Sequence, residues 1–382
     1  MKTIILKIMN KRFLGFICLV ILIGFFFAGL WPFNFISENE VKWLKDSNGI
    51  SFYGNGMIYT PDLLNGKNPP FQNSSITIEM WLQPKVKCDC FLARILSLYD
   101  GHKSENFFIG QWKYDLAIGG HTIKPDNNIK YKEVGLDDVL IKDKKMFITI
   151  TSGNDSTIVY VDGKQVRSFP QLQLIYNNKA SGYLIIGNSP TGKQYWTGEL
   201  YGLAIYNQIL SSDKVLKNYQ AWTSNGVPET STEESPLALY LFDEKTGTFV
   251  KNHSGPHDLL IPVKFTPFKK VILSPPGESF RFDHSYLKDV AINLFGFIPF
   301  GFFILALMWD PIEPKRLRVS ILVILMGGGL SLIIELIQAN LPTRSSSLSD
   351  LILNTLGTIA GVILFNMFSG KIEDPDSTRY LR

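Results

Sequence analysis

Three apolar runs in the last quarter of the sequence, roughly Asp289 to Phe368, each carry polar and small residues at helical spacing. Asp289, Asn293 and Gly296 stand at i, i+4 and i+7; Gly328, Ser331, Glu335 and Gln338 stand at i, i+3, i+7 and i+10; Asp350, Asn354, Gly357 and Gly361 continue a similar spacing on the third run. Each run is close to the roughly 20 residues needed to cross a hydrocarbon layer, so the pattern predicts membrane-spanning helices with one polar stripe apiece. A charge at mid-membrane costs about 2.5 to 3.5 kcal/mol on insertion scales, and the stripes should therefore turn toward one another. The glycines allow that close approach.

The apolar content of 45% is concentrated at the two ends of the 382 residues, and the middle reads as soluble protein, so two compact units are expected. The net charge of +4 is small, with no basic stripe interleaved with aromatics, which argues against a nucleic-acid partner. Three cysteines are too few for a disulfide framework. Cys18 lies in the first apolar run as a small hydrophobe, and Cys88-x-Cys90 is too tight for an easy bridge, so neither is assigned chemistry.

In chain order, the basic stretch 1–12 precedes an apolar run, 13–31, that is longer than a signal-peptide core and lacks a small-x-small cleavage site; it reads as an uncleaved first span. Residues 41–262 change to short apolar runs separated by Gly, Asn, Asp and Pro, the pattern of many short strands in a β-sandwich. Asp162-Gly163 between two such runs predicts a type I′ hairpin. Residues 263–288 read as a Pro- and Lys-containing connector, and the membrane part follows over 289–368 with spans at 289–308, 319–341 and 350–368, then a tail over 369–382. Lys315, Arg316 and Arg318 in the middle loop and the basic N-terminus belong in the cytoplasm, which places both chain ends there and the sandwich outside.

Ile76-Thr-Ile-Glu-Met-Trp81, Ile158-Val-Tyr-Val-Asp-Gly163 and Gly198-Glu-Leu-Tyr-Gly-Leu-Ala-Ile-Tyr-Asn207, followed by Leu210-Ser-Ser-Asp213, resemble a laminin-G-like domain of the concanavalin A-like lectin/glucanase fold. The resemblance implies an all-β jelly-roll sandwich. One departure is visible: Leu239-Tyr-Leu-Phe-Asp-Glu-Lys-Thr-Gly247, with Asn252-His-Ser-Gly255, looks like an opening strand yet comes late, either as a permuted strand or as a short element completing the sandwich. Lys288-Asp-Val-Ala-Ile-Asn-Leu-Phe-Gly-Phe-Ile-Pro-Phe-Gly301, Ser331-Leu-Ile-Ile-Glu-Leu-Ile-Gln338 with Pro342-Thr-Arg344, and Ser349-Asp-Leu-Ile-Leu-Asn-Thr-Leu-Gly357 resemble the VanZ-like family of integral membrane proteins, as does Leu30-Trp-Pro-Phe33. On this match the β-domain is inserted between the first and second of four spans. The family takes its name from low-level resistance to the glycopeptide teicoplanin, so an effect on glycopeptide susceptibility is implied.

The expected architecture is thus multi-domain, a four-helix transmembrane bundle plus an extracytoplasmic all-β sandwich, in the cytoplasmic (inner) membrane of a bacterium. Asp289, Asn293, Glu335, Gln338, Arg344, Asp350 and Asn354 should meet at the outer face as a polar pocket, because three carboxyls exceed what one guanidinium neutralises. The plainer alternative is that they only hold the helices together, with Arg344 facing Glu335 or Asp350 and Asp350 capping its helix. Trp112, Tyr195 and Trp196 are candidates for stacking on sugar rings. No E-x-D-x-E run marks a glycosidase, and no catalytic or metal-ligating residue is assigned. No cofactor is expected, and calcium in the sandwich is left open by its Asp- and Asn-rich loops. Three functions follow: a non-enzymatic envelope protein binding a lipid or lipid-linked cell-wall ligand in the pocket and glycan or protein through the sandwich; an intramembrane enzyme acting on a lipid headgroup, with Glu335 or Asp350 as general base; or a surface adhesin or scaffold.

Overall fold

A computed structural model of the chain describes residues 11–31, 33, 37–63, 74–86, 88–102, 104–123, 129–176, 181–229, 235–276, 284–309, 316–341 and 344–370. The side chains of Cys88 and Cys90, the basic residues 1–10, Lys315 and the tail from 371 lie outside the described residues. The chain divides into two compact units, residues 36–269 and the two flanking segments together.

The first unit is a sandwich of antiparallel sheets. Its strands are β1 (Val41–Trp43), β2 (Ile50–Phe52), β3 (Ile58–Tyr59), β4 (Ile76–Pro84), β5 (Cys88–Tyr99), β6 (Glu105–Lys113), β7 (Asp115–Ile123) and β8 (Ile129–Leu136). They continue with β9 (Met146–Ser152), β10 (Ser156–Val161), β11 (Lys164–Pro170), β12 (Leu172–Gln173), β13 (Tyr183–Ile186), β14 (Gly198–Tyr206), β15 (Ala238–Tyr240), β16 (Phe249–Val250) and β17 (Leu259–Leu260). One sheet runs β1-β2-β14-β4-β9-β10-β11 with β15 also on β14; the other runs β12-β7-β6-β5-β13-β3-β17-β16 with β8 on β7.

Period-2 alternation explains β4. Ile76, Ile78, Met80 and Leu82 enter the core between the sheets, while Thr77, Glu79 and Trp81 point to the opposite face. That second face is also buried, because Trp81 belongs to an outer apolar cluster with Tyr206, Val215 and Trp222. Val215 and Trp222 come from helix α2 (Ser212–Asn225), numbered after the N-terminal helix α1 (Lys11–Leu30). Ser211 caps α2 by accepting from the Lys214 amide, and Gly226 ends it at φ +73°, a conformation glycine adopts without steric cost. At the hairpin, Asp162 and Gly163 take φ of +50° and +75°, joining β10 to β11 through a Val161 and Lys164 pair.

The late segment completes both sheets. β15 adds to β14 beside the stretch that pairs β2, and β16 and β17 extend the other sheet from β3. This selects the added-element explanation of the late strand.

Among the described residues, the second unit gathers four helices long and apolar enough to cross a membrane: α1, α3 (His284–Met308), α4 (Arg316–Gln338) and α5 (Leu348–Gly370). Phe25 of α1 stacks on Phe297 of α3 with ring centroids 4.3 Å apart, and Leu14 and Cys18 are buried in the same apolar cluster as Phe300 and Phe365. Backbone contact between α3 and α5 depends on three glycines among the described residues, and a Cβ on Gly301 would lie 2.2 Å from the Thr358 carbonyl oxygen. A Cβ on Gly357 or Gly361 would lie 2.1 Å from the carbonyl oxygen of Leu294 or Ile298. The Gly357-x-x-x-Gly361 pair therefore packs helices within one bundle.

Candidate functional site

The polar stripes converge. Asp289 and Asn293 near the start of α3, Glu335 and Gln338 near the end of α4, Asp350 and Asn354 in the first turns of α5, and Arg344 in the loop before α5 all line one cleft of about 630 Å³. Phe25, Ala28 and Gly29 of α1 and Ile334 of α4 contribute to its wall. Asp289 is exposed and Glu335 is 2% exposed, so the cleft runs from the surface to a buried carboxyl.

Each polar group has a distinct local reason for its position. Ser347 precedes α5 and its hydroxyl accepts from the Ser349 amide, as an N-cap does. The Ser347 amide donates to Glu335 Oε2 at 2.7 Å, tying the loop to α4. Ser274, in the connector, accepts from the Leu348 amide and donates to the Ser346 carbonyl, which fixes the loop from its other side. Asn354 Nδ2 donates to Ser331 Oγ at 2.9 Å across α5 and α4, and Gln338 Nε2 donates to the Gly29 carbonyl of α1 at 2.8 Å. Asn293 hydrogen-bonds the Asp350 side chain, and Asp289 is the carboxyl that bears on Asp350.

Arg344 departs from the expectation that it faces Glu335 or Asp350. Its Nε donates to the Trp31 carbonyl at 2.8 Å and its Nη2 to the Ala28 carbonyl at 3.0 Å. Those are carbonyls at the end of α1, which have no partner within their own helix, and a guanidinium fork suits a pair of them. Asp350 sits in the first turn of α5, while the cap itself is Ser347.

In the sandwich the three stacking candidates separate. Trp196 is 1% exposed and its indole donates to Gln111 Oε1 at 2.9 Å, so it is a core residue and cannot stack on a sugar. Tyr195 is exposed, and Trp112 is half-buried with Lys113 Nζ 5.9 Å from its ring centroid. Two further groups emerge from the tertiary structure. Glu79 is fully buried under α2, where Asn218 Nδ2 donates to Oε1 at 2.9 Å and Tyr206 Oη and Trp222 Nε1 donate to Oε2 at 3.1 and 3.2 Å. Burial pushes its carboxyl up to about 7 against the opposing pull of these donors and of Lys214. Asp243, Glu244 and His253 each bring a ligand-type atom within 4.8 Å of the others. That set includes one nitrogen donor, whereas calcium takes oxygens.

Residues 237–369 match the VanZ/LLP1 family. The chain carries a VanZ-like membrane region. Residues 52–216 match the concanavalin A-like lectin/glucanases superfamily. The chain is thus a membrane protein bearing a lectin-like sandwich. The VanZ-like match begins at residue 237, inside the sandwich, because β15 to β17 complete that unit.

No curated protein matches the chain. Among solved structures, the receptor binding domain of botulinum neurotoxin mosaic serotype C/D is similar at 15% identity and a TM-score of 0.38, covering 48% of this chain and 45% of that one. A putative carbohydrate binding protein from Bacteroides ovatus is similar at 12% identity and a TM-score of 0.40, covering 57% of this chain and 58% of that one. A SAP-like pentraxin from Limulus polyphemus is similar at 12% identity and a TM-score of 0.36, covering 60% of this chain and 94% of that one. The chain spans less than half of the first of these structures.

All seven residues singled out from the VanZ-like region lie on the one cleft. Sequence reading passed over Ser346 and Ser347 as anchors of Glu335, although the Ser-rich run before Asp350 was their signal. It also assigned no role to Glu79. Its inclusion in an otherwise apolar strand was the available sign that something covers that face.

Proposed function

We propose that the VanZ-like region binds, without transforming it, the headgroup of a membrane lipid or lipid-linked cell-wall component in the cleft formed by α1, α3, α4 and α5. The observation that carries this reading is the meeting of three carboxyls and three amides from separate apolar helices on one cavity of about 630 Å³. Polar groups in a hydrocarbon layer are costly unless they serve a ligand or one another, and a cavity of this size leaves room for a headgroup. Arg316 and Arg318 at the start of α4 favour the cytoplasmic side for that end, so the cleft, at the other end of α4, faces outward by the same bias. The sandwich, inserted between α1 and α3, then serves outside the cytoplasmic membrane of a bacterial envelope, where its lectin/glucanase ancestry suits it to glycan or protein, with Tyr195 and Trp112 as contact residues.

Mass spectrometry of what co-purifies with the full chain tests the reading. A lipid or lipid-linked species should be retained by the parent protein and depleted in Glu335→Gln. Identical lipid profiles in both would remove the cleft as the binding site. The family name makes glycopeptide susceptibility, teicoplanin first, the phenotype to score alongside.

A further inference from the structure

The balance of donors and acceptors in the cleft goes one step further than the proposed function, on which it rests. Its donors are largely committed. Gln338 Nε2 is held by the Gly29 carbonyl, Asn354 Nδ2 by Ser331 Oγ, and two guanidinium nitrogens of Arg344 by the Trp31 and Ala28 carbonyls. Its acceptors are in surplus. Among the described residues, Asp289, Glu335 and Asp350 bring three carboxyls to a lining that holds one guanidinium. Asn354 is 4% exposed, yet its Oδ1, an acceptor only, has no hydrogen-bond partner. A buried acceptor left unpaired is costly, so its presence on the wall of the α4–α5 crossing points to a donor supplied from elsewhere.

We infer that the cleft recognises a cationic amine, an ammonium group with three donors, carried by the ligand. Among the described lining residues, a phosphate or pyrophosphate would meet three carboxyls and one guanidinium; an ammonium meets carboxyls on α3, α4 and α5 and an amide oxygen. An ammonium is compact, so most of the roughly 630 Å³ remains for the group that bears it. The amine could reach the cleft on an aminophospholipid headgroup or on a water-soluble amine, and the two sources are separable.

Full-length protein in detergent micelles is titrated with dioleoyl-phosphatidylethanolamine, with the same lipid N-acetylated, and with dioleoyl-phosphatidylglycerol, binding being read by native mass spectrometry. The ammonium lipid should bind at least about tenfold more tightly than either of the others, a difference of about 1.4 kcal/mol. Glu335→Gln and the near-isosteric Asp350→Asn should each erase most of that preference, with size-exclusion profiles reporting that the variants fold. Competition by millimolar ethanolamine would assign the cation to a soluble amine, and its absence would assign it to the lipid. Equal binding of the N-acetylated lipid, retention of the preference in both variants, or no binding of either amine overturns the inference. Preferential phosphatidylglycerol binding that is lost in Arg344→Ala also overturns it, while leaving the cleft as the ligand site; indifference to every lipid and every cleft substitution overturns both.

Discussion

The main-chain amide of Ser347 and the Glu335 carboxylate are joined by a 2.7 Å hydrogen bond, which couples the loop before α5 to a buried acid on α4. Because that acid is nearly inaccessible, the bond forms away from bulk water and holds both partners in place. Replacing Glu335 by Ala should therefore leave the Ser347 amide unpaired and lower stability by about 1–3 kcal/mol, whereas Glu335→Gln keeps an acceptor and should lose less than half of that. Thermal unfolding of the two variants in the same detergent would show the difference. Equal melting temperatures would mean the bond carries no weight.

Arg344 joins the same loop to the end of α1 through two carbonyls. Removing the guanidinium in Arg344→Ala should release the last turn of α1, seen as faster amide hydrogen exchange near Ala28 to Trp31, with about 1–3 kcal/mol of stability lost. Arg344→Lys can reach one carbonyl at a time and should fall between parent and Ala variant.

Close contact of α3 and α5 should be intolerant of side chains at Gly301, Gly357 and Gly361. Gly361→Leu places atoms where the Ile298 carbonyl already stands, so the helices must separate. We expect little monodisperse protein from that variant. Gly329→Leu, at a position where an added Cβ meets nothing within 4 Å, should purify like the parent and serves as the control.

Glu79 links the stability of the sandwich to pH. Its folded carboxyl titrates near 7, above the ordinary carboxylate range expected once the chain unfolds, so the folded state binds the extra proton. The stabilisation is complete below the unfolded value, declines as pH rises toward about 7, and is gone above it. A shift of this size corresponds to about 3 kcal/mol. Unfolding of the full chain followed at pH 5 and pH 8 should show a larger loss in the parent than in Glu79→Gln, and parallel losses would refute the linkage.

Trp196 and Tyr195 are neighbours with opposite environments. Trp196→Ala should destabilise the sandwich by about 3–5 kcal/mol through a cavity and an unpaired Gln111 oxygen. Tyr195→Ala should leave the melting temperature within a degree or two. If the sandwich binds glycan through that face, glycan-array signal should fall in Tyr195→Ala while its melting temperature stays unchanged.

Local periodicity carried the sequence reading of the helices and strands. Residues three, four and seven apart share a helix face by covalent geometry, which is why the stripes of α3, α4 and α5 could be identified from their spacing. The Asp162-Gly163 turn was equally legible, since positive φ angles are a property of those residue types. By itself, then, the sequence determined the element types, the order of the two kinds of unit and the family resemblance now matched over residues 237–369 and 52–216.

Only the tertiary structure decided which acceptor meets which donor. Arg344 turned to carbonyls more than 300 residues earlier in the chain, as its 313-residue separation from Trp31 records, because helix ends leave those oxygens unsatisfied wherever the chain brings them. Glu79 became a buried anchor because α2, whose Asn218 lies 139 residues away, covers a strand face that alternation alone would expose. Trp196 and Tyr195 differ by one position in sequence, and the sheet they adjoin put one inside and one out. Spacing along a chain constrains direction; coverage of a face depends on distant elements, and no local pattern encodes it.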